Sequence, residues 1–378
     1  MRAPGLGFYL LNASLELCIH LAYDNSRENI VYSPFSIGTT LSMVLAGARG
    51  NTALELSNLL HVDAGYMNTR YFSEAINNSL SSRDVICHTA NRLYSDRTFP
   101  VRSEYARLLY DKYKARILSV DFQSNSEAVR HEANEWVSRK TQNKIRNLLG
   151  PDSVSSETLF ILLSAIYFEA SWQSSFSPEQ TKTGTFYMDS YNIVYVDMMN
   201  QESDFMIGHS DELNCRALEM PYRGGEYSMV ILLPDSVDGL SSLEERLTEY
   251  SLADAFNDGL NMRRVRLSLP KFKVEQKLTL KDTLRAIGVN DLFDDEKVDL
   301  SRMFENRGPA VTAVYHHALV EVNENGTKAA AATTALGSNS FYVPGEATSF
   351  IVDHPFMFFI KRNEYDLILF MGSVRRPV

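Results

Sequence analysis

The sequence predicts an α+β protein built as one domain over 1–378. Three observations carry this. Apolar residues recur at helical spacing through much of the chain up to Leu149, runs rich in β-branched and aromatic residues dominate from Thr158 onward, and neither a Pro/Gly/Ser-rich linker nor an internal repeat divides the chain. Helices lead and strands follow, so the alternation that builds a parallel βαβ sheet is missing. In chain order, Phe8, Leu11, Leu15, Cys18, Leu21 and Ala22 share one helical face. A second helix is predicted from Ser36 to Leu45 behind the Ser33–Pro34 start, and a third from Asn51 to Leu60 after the break at Gly50. Helical patterns recur at Ser103 to Arg116, Ser126 to Leu149 and Leu278 to Ile287. Strand patterns occupy Thr158 to Phe168, Ile193 to Met199, Cys215 to Met220, Tyr227 to Leu233, Val265 to Leu269, Ala318 to Val322, Phe356 to Ile360 and Leu367 to Gly372.

With 44% apolar and 22% charged residues in a chain of 378, a substantial core can form and the signature of disorder is absent. The net charge of −10 provides no global field for phosphate backbones or anionic lipid, so neither a nucleic acid nor a membrane is expected as partner. No apolar run approaches the ~20 residues of a membrane span. Cys18, Cys87 and Cys215 are too few and too scattered for a disulfide framework and read as buried, inert thiols. The opening apolar stretch is too short for a signal peptide, which leaves a cytoplasmic protein or a mature secreted form with an added start Met. Asn-x-Ser/Thr acceptors at Asn12, Asn77 and Asn325 favour the secreted, glycosylated form.

Catalytic and cofactor patterns are missing. No Gly-x-Ser-x-Gly elbow, dinucleotide fingerprint or phosphate loop occurs, His131-Glu132 lacks a second His four residues on, and no Cys-x-x-Cys exists. The adjacent His316 and His317 point to opposite faces of a strand and cannot share a metal. Arg263, Arg264 and Arg266 read as a solvated strand face. Neither an enzyme, a metal nor a cofactor is expected.

The segment from Glu324 to Ser349 departs from these patterns. Long connections inside a compact domain are usually functional or disordered, and this one is Ala-rich without an apolar face at helical spacing. Read at period two, Thr327, Ala329, Ala331, Thr333 and Ala335 form one small, uncharged face, with Lys328 on the other. Such a segment suits burial as a strand, and Gly326 before it suits a hinge.

These residues belong to a wider pattern. Asn29-Ile-Val-Tyr-Ser33-Pro34-Phe-Ser36 with Leu41, Met43, Gly47, Ala48, Gly50 and Thr52 comes first, then Trp136, Val137, Thr141, Lys144 and Ile145. Ala165-Ile-Tyr167-Phe168 with Trp172, Phe176 and Thr181 follows, then Glu219-Met-Pro221-Tyr222 and Pro270-Lys271-Phe272. The hinge from Glu324 through Ala332, Asp353-His-Pro355-Phe356, and Leu369-Phe370 with Gly372 complete it. In this order, over nearly the whole chain, the sequence resembles the serpins. The resemblance implies a fold of three β-sheets and about nine helices with an exposed reactive-centre loop, about 324–349. It also implies a mechanism: a serine protease attacks the loop, forms an acyl-enzyme, and is trapped when the cleaved loop inserts as a strand of the main sheet. Glu324, Gly326, Thr327, Ala329, Ala330, Ala331 and Ala332 then form the hinge, and Ser33, Pro34, Ser36, Ser164 and His316 the region where that sheet opens.

Two positions depart from the family. Ser164 stands where an Asn usually pairs with the His equivalent to His316, and its shorter reach leaves direct pairing open. Asn143 stands for a turn glycine, which Asn can replace in the left-handed region. The intact small face of the hinge argues for an inhibitor over a non-inhibitory carrier or chaperone. Around Tyr66 to Leu80 the only basic residue is Arg70, so heparin control is not expected, and a monomer is. Family spacing places the cut bond at Ser340, which implies an elastase-like target. The adjacent Phe341 and Tyr342 suit a hydrophobic slot, and no Arg or Lys lies between Lys328 and Lys361, so chymotrypsin-like enzymes of the chymase or cathepsin G type are the expected partners.

Overall fold

The protein is described from a computed structural model, over residues 20–21, 28–62, 80, 82–249, 259–327, 347–365 and 367–377. These residues hold six α-helices and two hydrogen-bonded sheets. The first sheet, here the main sheet, contains β2 (Val85–Asp96), β3 (Ile117–Val120), β4 (Phe160–Ser171), β10 (Phe272–Thr279), β11 (Ala313–Asn323) and the two-residue β12 (Gly326–Thr327) in the order β10-β11-β12-β4-β2-β3. The second contains β1 (Ile30–Tyr32), β5 (Lys182–Tyr187), β6 (Ile193–Ser210), β7 (Cys215–Pro221), β8 (Tyr227–Pro234), β9 (Asn261–Pro270), β13 (Thr348–Ile351), β14 (Phe356–Arg362) and β15 (Leu367–Val374). Two of the three sheets that the resemblance implies are continuous here. The 18-residue β6 pairs with β5 and β9 along its length and with β7 near its end, and so joins them.

One face of the main sheet packs on α1 (Pro34–Gly47), which is buried almost all round. Ser33 starts the helix by accepting a hydrogen bond from the Ser36 N–H, and Pro34 takes a first-turn position where no N–H is needed. Behind α1 lie α2 (Gly50–Leu60) and α3 (Ser103–Tyr113). The opposite face carries α4 (Phe122–Lys140), where Trp136 and Val137 cover Tyr94, Leu163 and Tyr167. The predicted helix to Leu149 stops at Lys140, because Gln142 and Asn143 both take left-handed backbone and Thr141 Oγ accepts the Ile145 N–H. Leu278 belongs to β10, opposite His316, and the short helix α6 begins only at Lys281 and ends at Ala286, α5 being Leu240–Glu249. β2 and β10, which the sequence does not predict, carry polar residues that hide the strand pattern. Of the early helical face, only Leu21 lies among the described residues, and it is buried.

Candidate functional site

At one end of the main sheet, β4 and β11 part company. They run parallel and paired from Ile161 opposite Ala313 to Tyr167 opposite Leu319. Beyond that point β12 lies between them, antiparallel to both: Thr327 is opposite Val322 and Ala170, Gly326 opposite Asn323 and Ser171. Gly326 has φ +153°, and a Cβ there would collide with the Ala170 carbonyl oxygen, so only glycine fits this entry. Thr327 is fully buried, its hydroxyl 2.6 Å from the Tyr222 hydroxyl. Tyr222 in turn stacks on Trp172 at 4.5 Å between ring centres and meets Phe168 edge-on at 5.2 Å.

The turn that delivers β12 is tied down residue by residue. The Trp172 indole N–H donates to the Asn323 carbonyl at 3.0 Å, and the backbone N–H groups of Trp172 and Phe176 donate to the carbonyls of Asn325 and Glu324, both at 2.9 Å. The Glu324 carboxylate accepts from Thr181 at 2.9 Å and pairs with Lys271 at 3.3 Å. Burial raises the Glu324 pKa, but its own backbone N–H, Thr181 and Lys271 outweigh that and hold it below the usual range. Trp172, Thr181, Tyr222 and Lys271, which the sequence shows only as parts of family motifs, are gathered around Asn323 to Thr327.

Lower down, a chain of hydrogen bonds joins β4, β11, β2 and α1. The Ser33 N–H donates to His316 Nε2 at 3.0 Å, so the ring proton sits on Nδ1 and points to Ser164 Oγ, also at 3.0 Å. Ser164 then donates to Ser36 Oγ at 2.9 Å, and Ser36 to Asn91 Oδ1 at 2.8 Å. Burial, first, and the neighbouring His317 push the His316 pKa down to about 3, so the ring is neutral and the chain keeps one direction. The serine therefore does pair directly with His316, and Asn91, which no sequence motif marks, takes the bond at the far end. His317 faces away as predicted, with Nε2 3.0 Å from Glu275. Pro34 starts the helix that carries Ser36.

Asn325 is half-buried in the turn before β12. Asn12, Asn77, Ala329 to Ala332, Ser340, Phe341 and Tyr342 lie outside the described residues, as does most of the loop. Cys87 and Cys215 are buried, and their thiols are each pushed up to about 12 by burial first. Arg264 and Arg266 pair with Glu202 and Asp204 across β9 and β6.

Comparison with known proteins decides the family. The model of the family described as "Serpin (serine protease inhibitor)" matches residues 10–377. The chain is a serpin. It is 43% identical over 372 residues to Iris of Ixodes ricinus, covering 98% of each chain. With the human leukocyte elastase inhibitor it shares 39% over 372 residues, 96% of this serpin and 97% of that protein. Among solved structures, Serpin48, a highly specific serpin in the insect Tenebrio molitor, superposes with a TM-score of 0.88 at 30% identity and covers all of both chains. The serpin fold, α+β in class, is therefore shared over the whole length.

Proposed function

We propose that this serpin traps serine proteases by inserting its cleaved loop between β4 and β11. The seat of β12 carries this reading, because the first strand residues already occupy the position from which insertion would extend. Continued at the same register, Thr327 opposite Ala170 and Val322 sets Lys328 between Glu169 and Glu321. Ala329 then falls between Phe168 and Val320, Ala331 between Ile166 and Ala318, and Thr333 between Ser164 and His316. The small face thus meets the buried side, where a larger residue would overpack. The one charged residue meets two carboxylates. Thr333 replaces the Ser164–His316 bond with a hydroxyl of its own.

Insertion exchanges one parallel ladder for two antiparallel ones, which are slightly more stable per residue. The inhibitor performs no chemistry of its own: the protease makes the acyl-enzyme, and insertion must outrun its hydrolysis. Boiled SDS gels after mixing with a panel of serine proteases test this; a stable band at the summed mass is expected, and cleavage of the loop without such a band with every protease would refute it.

For the target, a chymotrypsin-like enzyme cutting after Tyr342 or Phe341 follows from the aromatic pair. The name of the human relative favours a second reading, an elastase-like enzyme cutting after Ser340. The mass of the released C-terminal peptide separates them: one starting at Val343 or Tyr342 supports the aromatic assignment, and one starting at Phe341 supports Ser340. Secretion rests on the three acceptor triplets, and a loss of mass on glycosidase treatment of the natural protein tests it against the cytoplasmic alternative.

A further inference from the structure

Of the nine large apolar side chains exposed among the described residues, five sit together: Tyr187, Tyr191, Ile193, Tyr195 and Ile351. Four belong to the β5–β6 hairpin. Tyr187 is directly opposite Ile193 and Thr185 opposite Tyr195, so these side chains share one face, while Phe186 on the other face is buried. Single exposed apolar residues need no explanation, but a cluster does. The fifth, Ile351, is on β13, the strand on which the chain returns to the body after the reactive loop. The Tyr187 N–H donates to the Asp353 carbonyl at 2.7 Å and ties the hairpin to that return. Between them lies a cleft of about 310 Å³ that includes Lys182, Thr185, Tyr187, Ile351 and Asp353.

We propose that this face is a docking surface for the attacking protease, covered by apolar side chains that flank the leaving-group side of its active-site cleft. The inference rests on the trapping reading above and adds a second contact to the loop itself. Its occupant follows from continuity. The cut bond lies about six residues before the return at β13, a span of at most ~20 Å, and a protease domain of ~230 residues has a radius of gyration of ~17 Å. A protease engaged on the loop therefore stands over the strand that carries Ile351. The neighbouring Arg264 and Arg266 are matched by Glu202 and Asp204, and Lys182 and Asp353 carry opposite charges in the cleft, so the aromatic and aliphatic surface is what the face offers a partner.

A consequence distinguishes docking from a structural role. After cleavage the acyl-enzyme is carried on the N-terminal side of the cut, while β13 stays with the C-terminal piece, so the contact exists only in the encounter. The test measures association rates with whichever protease gives an SDS-stable complex, for the full chain, for Tyr187→Ser/Tyr195→Ser, and for Tyr195→Ser alone, whose side chain is already 72% exposed. The expected result is a fall of about tenfold in the double variant and a smaller fall in the single one. The inhibitor consumed per protease, the melting temperature of the cleaved form, and the ratio of rates between low and high salt should not change. Rates within about twofold of the unaltered protein, with complexes still forming, overturn this proposal and leave trapping intact. No complex with any protease refutes trapping and the docking surface together. A dimer on gel filtration that the variants dissociate, with unchanged rates, would assign the face to a second copy of the chain and overturn the proposal.

Discussion

Thr327→Arg tests the seat of β12 directly. The threonine is fully buried, and its only described side-chain partner is the Tyr222 hydroxyl, packed between Trp172 and Phe168. A guanidinium at this point would meet the Tyr222 hydroxyl and the apolar Trp172 and Phe168, and the nearby Glu324 is already held by Thr181 and Lys271. Burying an unpaired charge costs several kcal/mol at least. The two-residue β12 holds on by a handful of backbone hydrogen bonds, each contributing about 0.5–1.5 kcal/mol. The costs are comparable, so β12 should leave the sheet while the rest of the molecule stays folded. Insertion would then begin with an arginine that must be buried. A penalty of about 3 kcal/mol in that step slows it ~100-fold, enough for hydrolysis of the acyl-enzyme to win. The expected outcome is a native melting temperature within a few degrees of the unaltered protein, loop cleavage at an unchanged rate, and almost no SDS-stable complex. Thr327→Val, which removes only the hydroxyl, should retain most of the trapping. If Thr327→Arg forms complexes as completely as the unaltered protein, the assignment of Thr327 to the inserted face is wrong.

Lys328→Glu would bring a third carboxylate between Glu169 and Glu321, so the cleaved form should melt lower and more inhibitor should be consumed per protease, with native stability unchanged; equal melting of the cleaved forms would exclude the extended register. Unfolded, the imidazole of His316 takes a proton near pH 6.5, but folded it does so only at about 3, so stability present above pH 6.5 is lost progressively as pH falls toward 3. Urea unfolding midpoints across that range should show the loss, and His316→Gln should flatten part of it. Ser164→Ala leaves the buried His316 Nδ1–H without an acceptor, while the Ser36 hydroxyl loses the bond it accepts but keeps its bond to Asn91; the orphaned donor costs about 1–3 kcal/mol and should lower the native melting temperature.

Much of this was legible in the sequence, for reasons that differ from place to place. Of the period-two run of small residues, Thr327 is described and is buried in a strand, as small uncharged side chains on one face suggest, and Gly326 before it leaves no room for a Cβ; the rest of the run lies outside the described residues. Asn143 in place of a turn glycine was readable from local backbone chemistry, and its φ of 62° agrees. What escaped was set by contacts distant in the chain. Asn91 is hydrogen-bonded to Ser36, 55 positions away, and nothing in the run from Val85 to Asp96 announces that bond or even a strand. The joining of two sheets through β6 depends on which strands β6 meets along its length, and this periodicity cannot reveal.

The hydrogen-bond chain and the seated β12 act on the same pair of strands from opposite ends. His316, Ser164, Ser36 and Asn91 link β11, β4, α1 and β2 with every hydroxyl committed in one direction, so β4 and β11 cannot separate there without breaking the His316–Ser164 bond. At the other end Thr327 is already seated between the two strands, opposite Ala170 and Val322, with its hydroxyl bonded to Tyr222. Insertion therefore meets graded resistance. On the trapping reading it would pass Phe168 and Ile166, where alanines are small enough to enter, and meet a polar barrier at the Ser164–His316 bond. Thr333 arrives there with a hydroxyl that can restore the broken bond. A Thr333→Val protein should consequently stall at that depth, with Ala329 and Ala331 inserted and His316 Nδ1–H left unpaired. Its cleaved form should melt between the native and fully inserted proteins. Full heat resistance in that variant would mean that the polar chain offers no barrier and that the metastability lies elsewhere in the fold.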